Sequence, residues 1–84
     1  MSISWEIEDY LQSQNVFTNG LTDKPCHMNS YMTVLSFDKL ETIIKSNKFT
    51  KENWLYLADQ YKDSDLPMEK LVRLVILRIL ATKI

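Results

Sequence analysis

The chain has 84 residues, 45% hydrophobic and 25% charged, the composition of one globular domain rather than of a disordered or fibrous segment. A net charge of −1 argues against holding nucleic acid by bulk electrostatics, and no uncharged run approaches the ~18 residues of a membrane span. Cys26 is the single cysteine, so no internal disulfide can staple a domain this small, and with no N-terminal signal pattern a cytoplasmic setting is expected.

Ser2 or Ser4 can cap a first helix running to about residue 15, with Ile3, Ile7, Tyr10 and Leu11 on one face. Its early acids Glu6, Glu8 and Asp9 suit the positive end of the helix dipole. Trp5 falls on the opposite side with Glu8, Asp9 and Gln12. A tryptophan ringed by acids is the pattern of an interface anchor with an electrostatic rim, so these four are the candidate partner-binding residues. The alternative is that residues 16–35 fold over Trp5 and bury it.

Residues 16–35 admit two readings. Asn19-Gly20 is a two-residue hairpin signal between Val16-Phe17-Thr18 and Leu21-Thr22, and residues 31–35 have strand-forming composition. Equally, a loop could pack on the core through Phe17, Leu21, Met28 and Met32.

Ser36 is placed to cap a second helix from 37 to about 47, with Phe37, Leu40, Ile43 and Ile44 on one face. Thr50 is placed to cap a third from 51 to about 62, in which Phe49 and Trp54 form a hydrophobic staple and Trp54, Leu57, Ala58 and Tyr61 make the buried stripe. Pro67 then opens a last helix, where its missing N–H costs nothing.

That last helix is apolar on two sides. Leu71, Val72, Val75, Ile76 and Ile79 share one face, which should seat the helix in the core. Leu74, Leu77, Leu80 and Ile84 share the other and are the candidate self-association residues of a homodimer. Charge is also uneven. Residues 1–23 carry Glu6, Glu8, Asp9 and Asp23 with no Lys or Arg, whereas residues 66–84 carry Lys70, Arg73, Arg78 and Lys83 against Glu69 alone. Such polarity suits head-to-tail association, unless the two ends neutralise each other within one folded chain.

Catalytic, cofactor and metal signatures are not found. Cys26-His27 has the chemistry of a nucleophile pair or half a zinc site, but neighbours in an extended segment point apart and no further Cys or His completes a set. Glu6/Asp9 and Asp59/Asp63 read as solvated helix faces. The second and third helices meet at a tight turn like a DNA-reading pair, but Glu52 and Asp59 make the outer face too acidic for that role.

Asp38-x-Leu40-Glu41-x-x-Ile44-x-x-Asn47-Lys48-Phe49, with Leu66-x-Met68-x-Lys70-Leu71 later, resembles segments of the small helical Hha/YmoA proteins. The resemblance implies a regulator acting through the DNA-binding nucleoid protein H-NS. The match requires gaps, and this chain has extra length before Ser36 and a longer, more apolar last helix.

The expected architecture is therefore all-α, one domain over 1–84, with about four helices and an irregular or short-hairpin insert between the first two. The expected function is that of a nonenzymatic protein-binding module occupying a partner's surface, as inhibitors and accessory factors of phages and plasmids do, with no direct contact to nucleic acid or membrane. A small transcription or nucleoid regulator is the alternative.

Overall fold

A computed structural model describes residues 2–24, 26, 28 and 32–82. The helices are α1 (Ile3–Ser13), α2 (Phe37–Lys45), α3 (Lys51–Gln60) and α4 (Pro67–Thr82), with strands β1 (Phe17–Asn19) and β2 (Thr33–Leu35) between α1 and α2. The fold is thus mostly helical, with the four helices expected, but the insert between the first two carries a small two-stranded sheet, so the all-α class holds only for the rest of the chain.

Local chemistry sets each boundary. Ser2 caps α1, its hydroxyl accepting from the Ser4 N–H at 3.2 Å. The helix stops two residues earlier than expected because Asn15 adopts φ 59°, the left-handed conformation that asparagine tolerates better than most residues. The Val16 and Asn15 N–H groups then bond back to the carbonyls of Leu11 and Gln12, both at 3.1 Å, closing a Schellman motif. Val16 and Leu11 are both buried at that corner, which directs the chain into β1.

The Asn19-Gly20 pair does not make a two-residue hairpin. That turn needs positive φ at both positions, whereas here positive φ falls on Asp23 and Asn19 belongs to β1. The Asn19 side chain instead accepts from the Leu21 and Thr22 N–H groups at 2.8 and 3.2 Å, producing a wider turn. On its far side the Asn19 N–H bonds the Lys24 carbonyl, and the Cys26 N–H bonds the Phe17 carbonyl. On its near side β1 pairs antiparallel with β2, Phe17 opposite Leu35 and Asn19 opposite Thr33. Gly20 follows β1 in close quarters, since a Cβ there would lie 3.1 Å from Val34 Cγ2 and 3.2 Å from the Met32 carbonyl oxygen, so a larger residue would have to displace one of them slightly. Phe17 and Met28 are buried as the loop reading expected, but Leu21 and Met32 are exposed, because the turn carries them off the inner face.

Ser36 caps α2 and Thr50 caps α3; the latter forms a reciprocal box in which the Asn53 amide returns a bond to the Thr50 N–H at 3.2 Å. The staple is present, with the Phe49 and Trp54 rings edge to face at 5.6 Å. Packing is most extensive between α3 and α4, while α1 packs on α3 and α2 on α4. Arg73 strengthens the first pair by donating to the Ala58 carbonyl. A single core results, built from Ile7, Leu11, Leu40, Ile44, Trp54, Leu57, Val72 and Ile76 with Phe17 and Met28 of the insert. Phe37, expected on the buried stripe of α2, is instead 53% exposed. It is the first helical residue, and the core begins one turn later at Leu40.

Candidate functional site

The four residues expected to contact a partner lie on α1. Trp5 is 62% exposed, so the insert does not fold over it. Asp9, one helical turn along, is exposed, and Gln12 is half-buried. Glu8 differs from the others. Its carboxylate accepts a 2.8 Å hydrogen bond from the Tyr61 hydroxyl, tying α1 to the end of α3.

Tyr61 is buried, and loss of solvent together with the Glu8 carboxylate pushes its hydroxyl pKa well above the tyrosine range. The neutral phenol is therefore favoured in the folded state. Below about pH 10 Tyr61 is neutral in both states and folding keeps its full contribution; above it only the unfolded chain loses this proton. Stability is expected to fall by about 1.4 kcal/mol per pH unit from this group on the alkaline side. Tyr61→Phe should remove that slope and cost about 1 kcal/mol at pH 7, as urea titrations at several pH values would show. An unchanged alkaline slope would mean that the buried Tyr61 hydroxyl is not its source.

Beside the Trp5 face runs an open groove of about 470 Å³ that the sequence reading missed, lined by Glu6, Asp9, Tyr10, Ser13, Lys48 and Phe49. Phe49 stands edge to face on Tyr10 at 5.7 Å, and the Lys48 ammonium sits 5.0 Å over the Tyr10 ring. Asp9 belongs to both surfaces, so Trp5 and the groove form one aromatic area edged by Glu6 and Asp9, with Lys48 also lining the groove. The signal available in the sequence was Phe49: a staple residue must lie where the entering chain crosses its neighbours, here Tyr10 of α1.

The self-association residues do not form the expected face. Leu74 is 63% exposed and Leu77 is half-buried against the core, but Leu80 is buried at 6% exposure. Leu80 follows Ile76 by four residues, so it continues the core face and does not oppose it. Ile84 lies outside the described residues. Exposed along the middle of α4 are Leu74 and, one turn to either side, Lys70 and Arg78; Pro67, Ala81 and Thr82 are exposed at its ends.

Among the described residues no three His, Cys, Asp or Glu side chains gather at metal-binding distance, and no helix is long and apolar enough to cross a membrane. Cys26 is half-buried, its sulfur 3.4 Å from the Thr33 hydroxyl; His27 lies outside the described residues. Cys26→Ser with His27→Gln is expected to change stability by less than ~1 kcal/mol, since serine can keep the contact to Thr33. Stoichiometric zinc in the purified protein, or a large loss of stability in this variant, would contradict that.

No family model matches the chain, and no curated protein or solved structure matches it significantly. The Hha/YmoA likeness rests on the quoted residues alone.

Proposed function

We propose that the protein is a nonenzymatic binding module that acts by occupying the surface of another protein, with Trp5 as its anchor. The observation that carries this reading is the exposure of Trp5, a large apolar side chain that folding could have buried. Exposed tryptophans are costly to keep and are enriched among residues that dominate binding energy. Glu6 and Asp9 supply a charged rim that steers a basic partner, and the Tyr10–Phe49 groove extends the contact area. Exposed Glu52 and Asp59 on the outer face of α3 argue against nucleic acid as the partner. Such an activity, blocking or assisting a larger protein, is that of phage and plasmid accessory factors.

Trp5→Ala tests this. It should weaken binding of a partner captured from the native host by roughly 30-fold or more, ~2 kcal/mol, while costing under ~1 kcal/mol of folding free energy. Capture unaffected by the substitution, or an equal loss of folding stability, would remove the basis for the reading.

A further inference from the structure

We propose that the Trp5 face docks on a second copy of this chain, in the groove between α2 and α4. The proposal rests on the reading of Trp5 as a binding anchor and names its partner. That groove has a volume of about 290 Å³ and is lined by Phe37, Val75 and Ile79, with Arg78 and the Glu41–Lys45 pair among its other residues. An open groove of this size has room for one large side chain. Its apolar character is accessible from outside, because Phe37 is exposed and Leu74 stands exposed one turn before Arg78.

Charge identifies the occupant. α1 presents exposed Glu6 and Asp9 beside Trp5, and α4 presents exposed Lys70 and Arg78. The described ion pair joins Lys45 to Glu41 at 3.1 Å and involves neither the α1 acids nor Arg78. Each molecule carries an aromatic plug edged by Glu6 and Asp9 on one helix and, between two others, a slot edged by the exposed cation Arg78, in which Lys45 is already paired with Glu41. A copy offers to its neighbour the complement of what the neighbour offers to it. The contact is heterologous, joining different surfaces of two molecules, and so produces a ring, a chain or a reciprocal pair according to the angle between the faces.

The experiment is sedimentation analysis of the full chain and of Asp9→Arg and Arg78→Glu, whose side chains are exposed, with circular dichroism confirming that each variant folds. The unmodified protein should associate as concentration rises into the high micromolar range, and less so as salt is raised. Each substitution alone, and Trp5→Ala, should weaken association at least tenfold. Mixing the two charge variants should restore association, because Arg78→Glu keeps the Trp5 face, Asp9→Arg keeps the groove, and the two exchanged charges complement each other as well. A chain that stays monomeric at high micromolar concentration, association indifferent to the substitutions, or a mixture that fails to associate would each overturn self-docking. If the chain is monomeric but Trp5→Ala still releases a captured host protein, the Trp5 reading stands and only its partner was misidentified.

Discussion

Replacing Trp54 by alanine is expected to cost about 3 to 5 kcal/mol of folding free energy, the largest effect of any single truncation proposed for this molecule. Trp54 is almost fully buried on α3 and its ring meets Phe49, which in turn meets Tyr10 of α1. Removing it would open a cavity and take away the last member of an aromatic row joining α1, the α2–α3 connection and α3. A domain of this size has on the order of 4–12 kcal/mol of stability, so the substitution removes about a quarter of it or more and should lower the denaturation midpoint markedly. Urea denaturation followed by circular dichroism measures this directly. A midpoint close to that of the unmodified protein would mean that Trp54 is not in the core.

The second large effect concerns α4. Leu80→Ala should cost about 2 to 5 kcal/mol as a core truncation, whereas Leu74→Ala should change stability by no more than ~0.5 kcal/mol. The two residues were grouped on one helical face by sequence, and the structure separates them: Leu80 is buried and Leu74 is open. Equal costs would show that the face is shared after all. A costly Leu74→Ala would place that side chain under an unrecognised contact.

These contrasts show which parts of the molecule the sequence makes legible. Helix starts follow from side chains acting on their own backbone, and Ser2, Ser36 and Thr50 cap α1, α2 and α3 as their positions predict. The Phe49–Trp54 staple is local in the same sense. The insert was less legible because its geometry depends on residues distant in sequence: β1 pairs with β2 across an intervening turn, and the Asn19 amide diverts an apparent hairpin into a wider loop. Burial on α4 was misjudged for a related reason. A helical wheel gives angles between residues but not the width of the surface that α2 and α3 cover, and here that width reaches Leu80. Trp5 and its acids could be singled out because they oppose the core stripe of α1, yet the Tyr61 bond to Glu8, spanning 53 residues, leaves no trace in any local pattern.

Trp5 is expected to be open in the free protein and covered in the complex. Fluorescence of the Trp54→Phe variant tests both, since Trp5 is then the sole indole. The substitution is suited to the purpose because the Trp54 indole N–H is buried without a hydrogen-bond partner, so phenylalanine forfeits no bond. The free variant should show red-shifted emission strongly quenched by acrylamide. Adding a saturating partner, whether a captured host protein or more of the unlabelled chain made with Trp5 and Trp54 both replaced by phenylalanine, should be judged by Trp5 alone: the host protein, or in the self-docking case a copy offering an intact α2/α4 groove, should shift emission to the blue and protect it from the quencher. Blue, protected emission already in the variant at low micromolar concentration, below the range of self-docking, or no change on saturation by any protein the chain binds, would contradict the assignment of Trp5 as the binding anchor.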